Sequence, residues 1–387
     1  MKKKSIFFWC PFDDDIGTIK TVINSANGLN RYFNQNYNTT IIDSSGEWIR
    51  FSEVLRKNNT HLISLNKNIN ILKKSKKGFL LSKLSFIIVF FNSFFPLLRI
   101  LKKEKPDIMV AHLLTILPII LFLLFKFDTK LILRICGFPN INLFRKFFWK
   151  LSSDKIDMVI SPSKLTKEIL IKNNIFKENK IFVLYDPVIS IKDFIIKKKL
   201  PYNISGEIIP NNYILSIGRF TKQKNYYFLI ENFFKLLEIY PNLQLVIIGE
   251  GEEKKNLLKI IANKQLKKKI FLVDYTENTY HFYKNSKCFI LTSLWEDPGF
   301  VLVEAAFHNK SIISSNCLSG PREFVGNDGG FLFETNQSLD FLNKFNEFNK
   351  TSDYNKNQKK LILKKRAKKF SFFYHAQELH DILENKF

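Results

Sequence analysis

Cysteine is scarce in this chain of 387 residues, and the few cysteines give no sign of a metal site. All of them lie in or beside apolar, strand-like segments that are far apart in the sequence: Cys10, Cys136, Cys288 and Cys317. Their spacing matches neither a zinc site nor another metal-binding pattern. We therefore expect reduced core residues, which is typical of a cytosolic protein.

Long uninterrupted hydrophobic runs are also lacking. Residues 84–101 are broken by polar side chains and Pro96, and residues 113–125 are short and contain Pro118. Both fall short of the ~20 apolar residues that span a bilayer, so we expect core or interfacial helices. The N-terminal segment MKKKSIFFWCPFDDD ends its apolar run at three aspartates, which favours a first strand over a signal peptide.

Acidic residues are few, because 35 Asp and Glu stand against 60 Lys and Arg, giving a formal net charge of +25. Such an excess suits nucleic acid, an anionic membrane surface or an acidic substrate. The chain has no nucleic-acid-binding motif, so nucleic acid is not expected as a partner. Several basic runs flank very apolar helical segments, which favours peripheral attachment to anionic lipid. The alternative is a lysine-rich solvated surface.

The order of predicted elements is that of an α/β protein. The length favours two domains, and short apolar strand segments alternate with helical segments through most of the chain. A charged segment at about 189–210, with two prolines, predicts the linker. The predicted parts are an N-terminal domain at 1–200, a C-terminal domain at 201–370 and a final amphipathic helix at 371–387.

Residues 288–306, CFILTSLWEDPGFVLVEAA, predict a strand, a loop and the start of a helix. A helix beginning at Gly299 would present unpaired backbone N–H groups to an anion, and glycine allows close approach. Glu296 precedes this helix, and Glu304 lies about 7.5 Å of helical rise beyond Gly299. Carboxylates in this place suit sugar hydroxyls, so the stretch predicts a site for a phosphorylated sugar ligand. The alternative is a surface loop with two solvated acids.

A cationic stretch, GRFTKQKN at 218–225, follows the predicted strand Tyr213–Ile217. Arg219 comes directly after the strand end, and Lys224 lies near the start of the next predicted helix. The planar fork of an arginine and the point charge of a lysine suit a diphosphate. The alternative is a pair of surface charges beside a strand end.

These two stretches resemble motifs of one enzyme family. Glu296 and Glu304 within WEDPGFVLVEA resemble the Glu-x7-Glu signature of retaining glycosyltransferases of the GT-B fold, in the large GT4-type group that includes capsule, O-antigen and lipid-linked-glycan transferases. Arg219 and Lys224 resemble the two cations that hold the donor pyrophosphate in these enzymes. The resemblance implies an α/β GT-B fold, with two Rossmann-like doubly wound domains facing a cleft. The first domain is then expected to bind the acceptor and the second the nucleotide sugar, with the final helix crossing back to the first.

The resemblance also implies roles for individual residues. Glu296, Arg219 and Lys224 are the implied catalytic residues. The implied donor-binding residues are Arg219, Lys224, Gly299, Phe300, Val301, Glu304, Gly17, Thr18 and Tyr275.

Two further positions, His112 and Arg134, are the expected acceptor-binding residues. His112 follows the predicted strand Ile108–Ala111, and the alternative is a hydrogen-bonded loop histidine. Many relatives carry a histidine after the strand at Leu131–Ile135, whereas this chain has RICGFP there. Arg134 then pairs with a phosphate, with an acidic sugar or with a carboxylate of the fold. For Gly17 and Thr18, the alternative to phosphate binding is an ordinary helix cap.

The implied reaction is glycosyl transfer with retention, by a hexosyl- or N-acetylhexosaminyltransferase. The expected donor is a nucleoside-diphosphate sugar, with UDP as the nucleotide, and the expected acceptor is a polyprenyl-diphosphate-linked glycan in bacterial surface polysaccharide or glycoconjugate assembly. No metal or other cofactor is expected, and the expected location is the cytoplasmic face of the cell membrane. The alternatives are a nucleotide-sugar epimerase of the same fold and a non-catalytic protein that binds membranes or polyanions.

Overall fold

A computed structural model of the protein describes residues 2–12, 17–66, 79–200, 211–296 and 299–387, with the side chains of the same residues except 79–85. The chain forms two compact units. Unit 1 comprises Met1–Pro187 and Phe372–Phe387, and unit 2 comprises Val188–Ser371. Each unit contains a parallel sheet flanked by helices, which confirms the predicted α/β class.

The described strands are β1 (Lys4–Trp9), β2 (Tyr37–Asp43), β3 (His61–Ser64), β4 (Ile108–Ala111), β5 (Lys130–Arg134), β6 (Met158–Ser161), β7 (Ile181–Val183), β8 (Tyr213–Ile217), β9 (Leu245–Ile248), β10 (Ile270–Val273), β11 (Ser286–Leu291), β12 (Ile312–Ser315) and β13 (Phe331–Phe333). The described α-helices are α1 (Gly17–Tyr32), α2 (Ser52–Lys57), α3 (Phe79–Glu104), α4 (Ile116–Leu124), α5 (Leu143–Ser152), α6 (Lys164–Lys172), α7 (Ile191–Lys199), α8 (Tyr226–Ile239), α9 (Lys254–Asn263), α10 (Tyr280–Asn285), α11 (Phe300–Phe307), α12 (Gly320–Gly329), α13 (Ser338–Lys350), α14 (Asp353–Lys368) and α15 (Phe372–Lys386).

Unit 1 is built on a sheet with the strand order β3-β2-β1-β4-β5-β6-β7. Its strands are apolar on both faces, as parallel strands covered by helices require. In β1, Ile6 and Phe8 belong to the hydrophobic cluster shared with α1 and α15, whereas Phe7 and Trp9 belong to the cluster shared with α3, α4, α5 and α6. The alternation of side chains along the strand therefore serves two helix layers.

Unit 2 is built on a sheet with the strand order β10-β9-β8-β11-β12-β13. The order reverses between β8 and β11, which pair in parallel. In open α/β sheets a ligand binds at such a switch point, outside the carboxyl ends of the two strands. The two stretches identified in the sequence, GRFTKQKN and SLWEDPGF, follow β8 and β11. The topology of unit 2 therefore brings them together at this edge.

The structure corrects the expected linker. Residues Ile191–Lys199 of the predicted 189–210 linker form helix α7, and residues 201–210 lie outside the described part of the chain. The chain divides after Pro187, earlier than the expected boundary at residue 200, so α7 belongs to unit 2. Phe194 of α7 packs edge-on against Tyr280 and Phe307, which explains why this charged segment is ordered as a helix.

The apolar segment at 84–101 lies within α3, which continues through Pro96. Among the helices that the structure describes, none combines the length and the hydrophobicity needed to cross a membrane.

Candidate active site

The acidic half of the candidate site follows β11. Thr292 and Ser293 are buried at the strand end, and Glu296 is buried as well, with 7% of its surface exposed. Asp297 and Pro298 lie outside the described residues. Gly299 then adopts the left-handed conformation, with φ of 82°, directly before α11. A side chain at this φ is strained, which explains why glycine begins the helix.

The cationic half of the site follows β8. Arg219 is exposed, and its guanidinium makes no hydrogen bond or ion pair with another described residue. A turn of 3-10 helix at Lys222–Lys224 then leads into α8 through Asn225, which has a φ of 55°. The turn directs the side chain of Lys224 back toward the loop after β11.

Lys224 and Glu296 form a buried ion pair. The Nζ of Lys224 lies 2.5 Å from Oε1 of Glu296, and their side chains are 11% and 6% exposed. The hydroxyl of Ser293 donates a second hydrogen bond, also of 2.5 Å, to the same carboxylate oxygen. Charge-assisted bonds of this kind are strong where water is excluded. The two halves of the candidate site are therefore joined by one carboxylate.

Backbone contacts hold the two loops together around this pair. Gln223 accepts a hydrogen bond from the backbone N–H of Leu294 at 2.8 Å, and its side-chain amide donates to the carbonyl of Trp295 at 2.8 Å. The hydroxyl of Thr292 donates to the carbonyl of Lys224 at 3.0 Å. Nothing in the sequence marks Gln223, Thr292 or Ser293 as part of the site, apart from their positions next to Lys224 and before Glu296.

Helix α11 carries Glu304, the second acid of the Glu-x7-Glu motif. The backbone N–H groups of Phe300 and Val301 lie in its first turn, where they have no acceptor within the helix. Glu304 is partly buried, and the hydroxyl of Tyr283 donates to its Oε2 at 3.5 Å. Burial, followed by the nearby Glu304 carboxylate, raises the pKa of Tyr283 well above its usual value, so the phenol stays protonated as a donor. Nothing in the sequence marks Tyr283 as part of the site.

Tyr275 lies apart from these groups. It follows β10, which is separated from β8 by β9, and its side chain is exposed. No described contact joins it to Lys224 or Glu296.

In unit 1, Gly17 begins helix α1 and its carbonyl accepts a hydrogen bond from the hydroxyl of Thr21 at 3.1 Å. Thr18 lies in the same first turn. The three aspartates that precede this turn in the sequence lie outside the described residues. The helix start therefore lies after β1 as predicted, at the sheet position where β1 pairs with β4.

His112 lies at the end of β4 and is buried, with 5% of its surface exposed. Its Nδ1 is 3.9 Å from the Sγ of Cys136, which follows β5, and its Nε2 has no hydrogen-bond partner among the described residues. Burial, and next the charge of Arg134, lower the pKa of His112 well below its usual value, so the ring is neutral.

Arg134 is buried at the end of β5 and makes a structural ion pair. Its guanidinium pairs with the carboxylate of Asp186 and donates to the carbonyl of Leu184 at 3.0 Å. These contacts correspond to the third possibility considered from the sequence, a pairing with a carboxylate of the fold.

The part of the chain that carries the buried ion pair matches a known protein family. Residues 204–370 match the family of glycosyl transferases group 1. This segment is similar to the group 1 glycosyltransferases. The matched residues include Arg219, Lys224, Glu296 and Glu304, whereas Gly17, His112 and Arg134 lie outside them.

Two relatives illustrate the similarity of the chain to other glycosyltransferases. An uncharacterized glycosyltransferase of Methanocaldococcus jannaschii is 29% identical over 255 residues, which are 60% of this chain and 61% of that protein. N-acetylgalactosamine-N,N'-diacetylbacillosaminyl-diphospho-undecaprenol 4-alpha-N-acetylgalactosaminyltransferase of Campylobacter jejuni is 29% identical over 213 residues, which are 53% of this chain and 56% of that protein. The chain thus spans less than two thirds of the length of either relative.

Solved structures extend the similarity to both units. HepE of Anabaena, solved in complex with UDP, has a TM-score of 0.70 and 14% identity, and the match covers 99% of this chain and 100% of HepE. The fold of the chain is therefore GT-B, as expected, and the segment that matches the group 1 family makes up most of its second unit.

Proposed function

We propose that the protein is a retaining glycosyltransferase that moves a hexosyl or N-acetylhexosaminyl group from a UDP-sugar to a lipid-linked glycan. The observation that carries this proposal is the buried pair of Lys224 and Glu296, joined at the switch point of unit 2 to a helix N-terminus. A cation, a carboxylate and free backbone N–H groups in one place suit a ligand that has both phosphates and sugar hydroxyls.

The residues of unit 2 divide the work of binding and catalysis. Arg219, whose guanidinium makes no ion pair with another described residue, is assigned to hold the donor diphosphate with Lys224 and the start of α11. As the bond to the sugar breaks, negative charge grows on the leaving diphosphate, and these donors stabilise it electrostatically. Glu304, supported by Tyr283, is assigned to the ribose hydroxyls, and Glu296 to hydroxyls of the transferred sugar.

The reaction is proposed to proceed without a metal ion. Two cations and a helix N-terminus supply the positive charge that a divalent metal would otherwise supply to a diphosphate. The UDP complex of HepE supports UDP as the nucleotide.

The acceptor is proposed to be a polyprenyl-diphosphate-linked glycan at the cytoplasmic face of the membrane. The name of the Campylobacter relative includes a diphospho-undecaprenol-linked sugar, which supports this choice. The formal net charge of +25 also suits an anionic membrane surface, where such an acceptor resides. His112 and Cys136 of unit 1 are assigned to the acceptor side, because a buried ring nitrogen without a partner is satisfied by a substrate hydroxyl.

The first test measures thermal unfolding with UDP, GDP, dTDP, CMP and ADP, each with EDTA. A ligand that binds only the folded state stabilises it by about 2.7 kcal/mol at 100 times its Kd. We expect UDP alone to raise the melting temperature, and Arg219→Ala to abolish that rise. Lys222→Ala is the matched control, because Lys222 is an exposed cation of the same loop and is not assigned to the donor.

Transfer itself is tested with UDP-hexoses and a polyprenyl-diphosphate-linked sugar, and the anomeric configuration of the product is assigned by NMR. Retention of the donor configuration is expected. An inverted product would overturn the retaining reaction. If no nucleotide raises the melting temperature of the unmodified protein or of Lys222→Ala, the assignment as a transferase is overturned.

A further inference from the structure

Helix α5 of unit 1 exposes an apolar face that nothing in the described structure covers. Leu143 is 87% exposed, Phe144 and Phe147 are each 68% exposed, and Leu151 is 62% exposed. These positions recur along one side of the helix, while Trp149 on the other side packs into the core of unit 1. A contiguous exposed apolar face of this kind marks an interaction surface.

Helix α3 adds a second apolar stripe. Ile87, Phe91 and Phe95 are spaced four residues apart, and all three are exposed. Leu97 and Leu101 of α3 pack into the same hydrophobic cluster as Trp149 of α5. The two helices therefore cover the same face of the sheet of unit 1.

The charge on this face is mostly positive. Together α3, α4 and α5 contain seven lysines and arginines and a single acid, Glu104. Near the end of α3, a groove of about 430 Å³ is lined by the apolar side chains of Phe95 and Leu98 and by Arg99, Lys102 and Lys103. On α5, Lys150 is exposed beside Leu151. Cations that border exposed aromatic side chains suit a surface with apolar chains and anionic headgroups.

A second copy of the chain fits this face poorly. A two-fold interface would place the same patch against itself, and the cations of one copy would then face those of the other. An anionic bilayer offers the opposite charge and an apolar interior at once.

We propose that this surface, formed by α3 and α5, inserts its aromatic side chains into the headgroup region of an anionic phospholipid bilayer. The proposal rests on the proposed lipid-linked acceptor and names the surface that reaches it. Helix α5 follows β5, so its first turn, with Leu143 and Phe144, lies toward the carboxyl edge of the sheet. Cys136 and His112 lie at that same edge. A docked bilayer would therefore lie beside the residues assigned to the acceptor, whose lipid stays in the membrane.

The test is flotation of the full chain with vesicles of phosphatidylcholine alone and of phosphatidylcholine with phosphatidylglycerol. We expect the protein to float with the anionic vesicles and not with the neutral ones. The double variant Phe144→Ser with Phe147→Ser is expected to lose roughly tenfold or more of this binding. Leu339→Ser with Tyr354→Ser is the matched control, because these side chains of unit 2 are 72% and 71% exposed. The control is expected to bind as the unmodified protein does.

Three results would overturn the proposal: no binding to anionic vesicles, equal binding to both vesicles, or unchanged binding of the Phe144 and Phe147 variant. A change from dimer to monomer in the same variant, measured by sedimentation, would also overturn it and assign the face to a second copy. The UDP-induced rise in melting temperature is measured on each variant. Vesicle binding without any UDP response would refute the proposed transferase and leave the surface standing, and a UDP response without vesicle binding would do the reverse.

Discussion

At the scale of single residues, Glu296 has the most restricted surroundings in the candidate site. Its carboxylate is 6% exposed and accepts hydrogen bonds from Lys224 and Ser293 through one oxygen. A carboxylate buried in this way is stable only while its cation is present, because an uncompensated buried charge costs more than the pair contributes. The pair therefore couples the stability of unit 2 to its proposed chemistry.

Replacing Lys224 alone should expose this coupling. Lys224→Met leaves the carboxylate of Glu296 without its cation, and we expect the free energy of unfolding to fall by about 3 kcal/mol. The double variant Lys224→Met with Glu296→Gln should recover most of that loss, since no buried charge remains. Denaturant unfolding of the single variants and the double variant measures the coupling, with Lys222→Met as the surface control. Additive losses would show that the two side chains do not depend on each other.

The residues of the site were predictable from the sequence to different degrees. Lys224 and Glu296 come together in unit 2 as an ion pair, and each lies in a segment that follows a strand end in the sequence. Gln223 and Tyr283 were not predictable, since a glutamine or tyrosine that supports another residue has no pattern of its own. The role of Arg134 also required the structure, because Asp186 is distant in the sequence and only the fold brings it near.

At the scale of elements, the ends of β8 and β9 approach each other unusually closely. A Cβ added to Gly249, which follows β9, would lie 1.9 Å from the carbonyl oxygen of Gly218. No side chain can occupy that space, so the two strand ends meet only because residue 249 is glycine. Gly249 thus has a packing role against Gly218, the residue that directly precedes Arg219.

Gly249→Ala should therefore disturb the donor site from a neighbouring strand. We expect a loss of about 3 kcal/mol or more in stability, since backbone must move to relieve the contact, together with loss of the UDP response. Gly137→Ala is a suitable control because its Cβ would meet nothing within 4 Å, although its φ of +86° carries a strain of about 1 kcal/mol. Thermal unfolding with and without UDP measures both effects. Equal behaviour of the two variants would contradict the packing role.

Short apolar strands were the most predictable elements. Ile108–Ala111 and Tyr213–Ile217 have the predicted bounds, because buried parallel strands are continuous apolar runs. Helix α7 was missed, since its lysines and the prolines after it resemble a linker, and the aromatic residues that pack against it are distant in the sequence.

At the scale of the whole molecule, the chain leaves unit 1 after Pro187 and returns to it with α15. The final amphipathic helix was predicted from the sequence, but its anchor was not. Leu379 and Leu383 join the cluster shared with α1, and His375 is 2% exposed between two polar partners. The Nδ1 of His375 donates to the carbonyl of Tyr185 at 2.7 Å, and Nε2 accepts from the hydroxyl of Ser25 at 2.8 Å. A neutral ring is the form that fits both partners.

Acid should therefore weaken unit 1 through this histidine. Burial, opposed by the bond to Tyr185, lowers the pKa of His375 from 6.5 to about 3. As the pH falls below 6.5, the unfolded chain binds a proton that the folded ring does not, so stability is lost progressively toward pH 3. Between pH 7 and pH 5 the loss from His375 amounts to about 2 kcal/mol. Calorimetry at both pH values should show a smaller loss for His375→Gln, which keeps neutral hydrogen-bonding groups.

Comparing His375→Gln with the unmodified protein isolates one histidine among several that titrate in the same direction. Burial also lowers the pKa of His112 in unit 1 and of His308 in unit 2, so His375→Gln reduces the acid sensitivity without abolishing it. His61→Gln is the matched control, since His61 is exposed on β3. If His375→Gln lost as much stability as the unmodified protein between pH 7 and pH 5, the acid sensitivity of unit 1 would not come from His375.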